Sequence, residues 1–329
     1  MRKLRNDNPL LHFHDEAGME AGFSRNERSG SNGSGWSEPA NIAAGRIGGK
    51  TMVLEGVKNF DIGQIANSGQ CFRLDALPEK PHTWRLIAYG KYLEIKQQPG
   101  SSVVEFSCTR TEFEQIWRQY FDLEADYQGY IDRIDPQDAY LTTAAAAGAG
   151  IRILRQELWE TLVSFMISQN NNIPRIKKTI KTLCTLRGKG HFTEDGKLWF
   201  EFPQPESLAR IENLQGAGLG YRDKYIQKMA ENVAAGKINL EMLVDGEMED
   251  SAVESYLKSI YGVGHKVANC IMLFGLHRMD SVPKDVWINK IIKEHYAGKF
   301  PVERYKGFAG VIQQYIFSYA SNKSHSKDG

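Results

Sequence analysis

The chain has 329 residues, enough for a substantial core and, by length alone, for two domains. With 41% hydrophobic and 25% charged residues it has the composition of a soluble globular protein, and no apolar run approaches the roughly 20 residues that span a bilayer. A net charge of +1 gives no bulk signal for a nucleic-acid partner, and Cys71, Cys108, Cys184 and Cys270 form no CxxC pair, which argues against a locally spaced zinc or iron–sulfur framework.

Residues 1–50 are polar, rich in Gly, Ser and Asn, and read as a flexible tail. The basic residues at its start precede no apolar core of signal-peptide length, so the expected location is the cytoplasm, associated with the nucleoid. From Thr51 to Cys108 the pattern is strand-like. TWRLIAYG, YLEIKQ and SVVEFS are short β-rich segments broken by Gly and Pro, as in a small antiparallel sheet built from hairpins. Acids predominate between Glu105 and Asp138, and a helical stretch starting at Thr111 spaces Phe113, Ile116, Trp117 and Tyr120 along one face. The expected organisation is therefore a tail over 1–50, an antiparallel-sheet domain with a flanking helix over 51–150, and a helical domain over 151–329.

Beyond Ile151 everything reads as helices with short connections. Leu158, Leu162, Phe165 and Met166 form one apolar stripe, and Ile173, Ile176, Ile180 and Leu183 the next. Between them lies Gln169-Asn170-Asn171-Asn172, where Asn172 suits a helix cap and Pro174 a first turn. Six cations and no acid occupy Arg175 to Lys189, a pattern that more often marks a solvated helix face than a ligand site.

Ser251 to Ile292 is the most informative segment. Ser251 and Glu254 fit a capping box, and the helix they open leads to Gly262-Val263-Gly264 and a second apolar helix with Val267, Ala268, Ile271 and Phe274. Two helices joined by a G-x-G turn form a helix-hairpin-helix. Its glycines permit a tight turn, and its free amides can hold a phosphate; by the turn alone a plain αα-corner fits equally well. Lys266 falls in the first turn of the second helix. A lone lysine is usually a surface residue, but here the helix dipole, and burial in a pocket, would favour the free amine that a lysine nucleophile needs. Asp285, within Val282-Pro283-Lys284-Asp285, sits where a cap belongs, and an ionised cap can also face a developing positive charge.

GVGHKVANCIMLFGL followed by SVPKDV resembles the helix-hairpin-helix, Gly/Pro, Asp signature of the base-excision glycosylases. More narrowly, the chain resembles the eukaryotic-type 8-oxoguanine DNA glycosylase/AP lyases, including bacterial members. SGQCFR (68–73), SFMISQNNNIPRI (164–176), GLGYR (218–222), GVGHKVANC (262–270) and AGVIQQYIF (309–317) are similar to family segments in the same order. The iron–sulfur cysteines of endonuclease III-type relatives are absent.

The resemblance implies an α+β fold, with a TBP-like antiparallel sheet ahead of an all-α glycosylase domain. It implies that Lys266 attacks the sugar and forms a Schiff base, that Asp285 stabilises the cationic sugar, and that β-elimination then cuts the strand 3′ to the lesion. Gly69 would accept a hydrogen bond from the N7–H of 8-oxoguanine. Gln313 would read the flipped base's pairing edge, Phe317 and Cys270 would sandwich it, and Phe274 would stand where the family pocket has methionine. Asn170 would fill the vacated stack, Arg175 and Arg222 would contact the orphaned cytosine, and Tyr221 would wedge the duplex. Gly262, Gly264, Val267 and Trp287 would face DNA phosphate, Trp287 standing where animal members carry histidine. The implied partner is duplex DNA with 8-oxoguanine opposite cytosine, bound by a monomer away from any membrane. No cofactor is required, although a monovalent or divalent cation bridging the hairpin carbonyls is compatible with the family. A monofunctional alkylbase glycosylase would need no amine at Lys266, and a passive DNA-binding module would need neither Lys266 nor Asp285.

Overall fold

The computed structural model describes residues 43–48 and 50–325. The tail expected over 1–50 therefore lies mostly outside the described residues. Where it is described, Ala43–Gly48 forms a strand (β1) antiparallel to β2 (Thr51–Glu55). Four more strands follow: β3 (Leu74–Ala76), β4 (Thr83–Ala88), β5 (Lys91–Lys96) and β6 (Val104–Phe106). Together they make a six-stranded sheet of order β1-β2-β6-β5-β4-β3, with every neighbouring pair antiparallel. Alternation sets its inner face: Met52, Leu54, Leu93, Ile95, Val104 and Phe106 point inward.

The short helix α1 (Ile62–Asn67) is capped by Asp61, whose carboxylate accepts from the amide of Gln64 at 2.9 Å. Its buried residues Ile62 and Ile65 join the sheet's inner face. The helix expected from Thr111 opens at Arg110 behind a Thr109 cap and widens into a π turn over Phe113–Trp117. That turn rotates Phe113 and Trp117 together into the core, where Phe106 meets Phe113 at 5.0 Å and Phe121 at 5.7 Å.

The remaining helices build a second core. Those that position the site are α2 (Ala139–Ala147), α3 (Leu158–Ile167), α4 (Ile173–Arg187), α5 (Asp223–Ala234), α6 (Asp250–Ser259), α7 (His265–Gly275), α8 (Val286–His295) and α9 (Ala309–His325). The most fully buried of them, α3 and α7, pack against each other at the centre. Arg152 joins the two cores. Its buried guanidinium donates to the carbonyls of Asn59, Asp122 and Lys58 and lies 4.5 Å from the Tyr127 ring. None of the helices among the described residues is long and apolar enough to cross a membrane.

Two local expectations are corrected. The chain beyond Ile151 is not purely helical: β7 (Gly190–Phe192) and β8 (Leu198–Phe200) form a hairpin, and Trp199 packs on Tyr92 of the sheet at 6.1 Å. Strands of three residues carry too little alternation to register as a pattern. The Ser251–Glu254 capping box does not form either. The cap of helix α6 lies two residues earlier, at Glu249, with no side-chain hydrogen bond, and Glu254 instead reaches across the hairpin to His265 Nδ1 at 2.5 Å.

Candidate active site

The turn between α6 and α7 contains two glycines in different roles. Gly262 has φ +90°, and a Cβ there would lie 2.6 Å from Cγ of Tyr225, so conformation and packing both demand glycine. Gly264 is extended and has open space around it, leaving the first amides of α7 facing outward with no side-chain cap. This is a ready anion site by geometry. The side chain of Val267 is in the core, so only its amide could face a phosphate.

Lys266, in the first turn of α7, is half-buried, with Nζ 5.5 Å from the centroid of Phe165. Phe165 in turn stacks on Phe274 at 5.4 Å, which seats the aromatic that replaces the expected methionine. One helical turn past Lys266, burial pushes the Cys270 thiol up; the Lys266 ammonium works against that shift and the charge of Asp285 adds to it. Asp285 caps α8, accepting from the amide of Ile288 at 2.7 Å. A carboxylate held this way has one oxygen committed to the helix and the other available to the cavity.

Lys266, Cys270, Phe274 and Asp285 line one cavity together with Gly69, Gln313 and Phe317. Ser68, Phe165, Pro283 and Gln314 complete its walls, and none of these four was assigned to the site from the sequence. The cavity measures about 60 Å³ and opens to solvent. Phe317, half-buried at the rim, is the nearest neighbour of Gly69: a Cβ on Gly69, whose φ is +76°, would stand 3.0 Å from Cε1 of Phe317. Gln313 is buried, yet its Oε1 has no hydrogen-bond partner. A buried, unpaired acceptor costs about 1–3 kcal/mol, so a group of this kind at a cavity wall points to a ligand that donates to it. A far larger groove, about 870 Å³ and lined in part by Lys224, Lys228 and Tyr261, lies between α5 and α6 and contains none of these residues.

A second cluster forms beside the hairpin. Asn172 caps α4, accepting from the amide of Arg175 at 3.0 Å, and Arg175 is exposed. Asn170 adopts φ +46°, and its amide donates to the hydroxyl of Tyr221 at 3.2 Å. Tyr221 is half exposed, its ring edge-to-face with Tyr225, which stands edge-to-face with Tyr261. Arg222 departs from the expectation that its guanidinium faces a cytosine. It is buried, donates to the carbonyls of Gln169, Leu219 and Asn170, and lies 4.6 Å from the Tyr221 ring. Desolvation explains the inward turn: two carbonyls of the Gln169–Asn170 loop and that of Leu219 satisfy a guanidinium that packing has already removed from water.

Trp287 and Val286 follow Asp285 and are both exposed, so the apolar surface expected to meet phosphate is a free tryptophan face. The carbonyl of Gly262 in the hairpin turn accepts from the Gln169 side chain at 3.1 Å. Among the described residues no group of three His, Cys, Asp or Glu is placed to hold a metal.

Comparison with known proteins converges on one family. Residues 52–162 match the family described as 8-oxoguanine DNA glycosylase, N-terminal domain, and residues 163–304 match the HhH-GPD superfamily of base excision DNA repair proteins. The N-glycosylase/DNA lyase of Saccharomyces cerevisiae is 33% identical over 259 residues, covering 71% of this chain and 68% of that protein. Among solved structures, MBOgg1 in complex with a low-affinity DNA ligand is 34% identical with a TM-score of 0.79, over 86% of this chain and 99% of that one. The 8-oxoguanine glycosylase/lyase of Clostridium acetobutylicum, bound to double-stranded DNA with cytosine opposite 8-oxoG, is 31% identical with a TM-score of 0.78, over 86% and 98%.

Proposed function

Because this chain belongs to the 8-oxoguanine DNA glycosylase family of the HhH-GPD superfamily, we propose that it excises 8-oxoguanine paired with cytosine and then cleaves the strand. The observation that carries this reading is the shared cavity: an amine, a carboxylate and an unpaired amide oxygen face one space, on Lys266, Asp285 and Gln313.

The chemistry follows from those groups. The flipped nucleotide enters between Phe317 and Cys270, and Gln313 Oε1 receives the donors of the base's pairing edge. The lone pair of Lys266 Nζ attacks C1′ while the glycosidic bond breaks, its electrons leaving with the base, which takes up a proton. Sugar opening gives a Schiff base to Lys266. Loss of a proton from C2′ then expels the 3′ phosphate, cutting the strand. The Asp285 carboxylate, fixed by its cap, offsets the positive charge that develops on the sugar and assists the proton transfers. The 8-oxoguanine base differs from guanine in donating from N7, and the Gly69 carbonyl is the acceptor assigned to that hydrogen.

On the other strand, Asn170 fills the gap and Arg175 reaches the orphaned cytosine, while Arg222 holds the loop that carries Asn170. Tyr221 wedges the duplex from the same cluster. The outward amides after Gly264 take a phosphate, with Trp287 beside them.

Borohydride reduction tests the proposal. A duplex with 8-oxoguanine opposite cytosine should become covalently trapped on the wild-type protein, and Lys266→Gln should lose trapping while still binding the lesion. Trapping that persists in the variant moves the nucleophile elsewhere; activity confined to alkylated bases removes the substrate assignment.

A further inference from the structure

The peptide carrying the Gly69 carbonyl is pinned on both sides by side-chain amides from distant parts of the chain. Ser68 and Gln70 are both fully buried. The carbonyl of Ser68 accepts from Nε2 of Gln314 on α9, and the carbonyl of Gln70 accepts from Nε2 of Gln156 at 2.8 Å. The Gln70 side chain closes the frame. Its Nε2 donates to Ser68 Oγ at 2.8 Å and to the Arg152 carbonyl at 2.9 Å, and its Oε1 accepts from the amide of Leu154 at 2.8 Å.

We propose that Gln314 is a specificity-determining positioning residue: through the Ser68 carbonyl it sets the direction of the Gly69 carbonyl, and with it the preference for a purine that donates from N7. The inference rests on the 8-oxoguanine reading above. A single hydrogen bond discriminates only if its acceptor is held still, because such bonds weaken steeply with misalignment. Glycine in the left-handed region is the residue most able to swivel, so the direction of its carbonyl must be imposed from outside. Gln314 adjoins Gln313 on the same helix, and both line the cavity. The group assigned to the pairing edge and the clamp on the N7 acceptor therefore move together. If Gln314 were only a satisfied buried amide, its loss would lower stability without changing which base the protein prefers.

Duplexes carrying 2′-fluorinated 8-oxoguanosine or 2′-fluorinated guanosine opposite cytosine resist bond cleavage, because the fluorine disfavours positive charge at C1′. Binding of both to the full chain separates the alternatives. Gln314→Met keeps length and volume and removes the donor. It is expected to weaken binding of the 8-oxoguanine duplex about tenfold while the guanine duplex holds within about twofold. Gln156→Met releases the neighbouring carbonyl and is expected to shift the same ratio, which keeps the test open should Gln314→Met fold poorly. A ratio unchanged in either folded variant, or an equal loss on both duplexes, overturns the inference. If the wild-type protein itself shows no preference between the duplexes, the base assignment fails rather than the clamp.

Discussion

The side-chain amide of Gln169 donates to the carbonyl of Gly262 across 3.1 Å, tying the loop that carries Asn170 to the turn of the hairpin. Arg222 fastens the other side of that loop through the carbonyls of Gln169 and Asn170. Tyr225 meanwhile fills the space where a side chain on Gly262 would stand. The hairpin and the loop that carries Asn170 are thus tied together by side chains from both directions.

Gln169→Leu cuts that tie at the cost of one hydrogen bond. Binding to a duplex containing an abasic site should weaken by roughly 2- to 12-fold, the equivalent of about 0.5–1.5 kcal/mol, with undamaged duplex affected less. Fluorescence anisotropy on both duplexes reads the difference. Equal weakening on both would mean the tie serves the hairpin alone.

Gln313 should show a conflict between stability and function. Its Oε1 is buried without a partner in the free protein. Gln313→Leu is therefore expected to stabilise the fold by about 1 kcal/mol while sharply slowing excision of 8-oxoguanine. Thermal melts and single-turnover excision on the same preparation test the pair of effects. A destabilised variant would show that the amide has a structural partner.

Two substitutions separate the cap at Asp285 from its charge. Asp285→Asn retains an acceptor for the Ile288 amide and should melt within a few degrees of wild type, yet lose most excision activity. Asp285→Ala should lose activity as well and additionally about 1 kcal/mol of stability. If Asp285→Asn excises the base at the wild-type rate, the carboxylate is a cap and nothing more.

Gly69→Ala adds a methyl group to a residue at φ +76° that already faces Phe317. The strained backbone should cost about 1 kcal/mol or more, and displacement of Phe317 should slow excision further than that loss of stability accounts for. Strand cleavage at a preformed abasic site, which needs no base in the cavity, provides the comparison. A variant as active as wild type on 8-oxoguanine would remove Gly69 from the base pocket.

Local chemistry was legible in the sequence where it depends on neighbours along the chain. Asn172 before Pro174 marked a helix start, Asp285 marked another, and Lys266 fell in the first turn after a Gly-x-Gly. The convergence of Lys266, Asp285, Gln313, Phe317 and Gly69 on one cavity needed the family resemblance, since they come from four segments and helical spacing relates only Gln313 to Phe317. What stayed hidden was decided by tertiary contact. Glu254 left its own helix start for His265, and the buried guanidinium of Arg222 turned to loop carbonyls instead of outward. Gln314, next to Gln313, gave no sign by position that it would reach Ser68, 246 residues away.

All four cysteines are buried and reduced, and burial pushes their thiols up, to about 11 at Cys71 and about 12 at Cys108 and Cys184. Peroxide attacks the thiolate, which these sulfurs scarcely populate at neutral pH. Peroxide would therefore find little purchase on the four cysteines, and the first sulfur it met on this chain would be a thioether such as the exposed Met242.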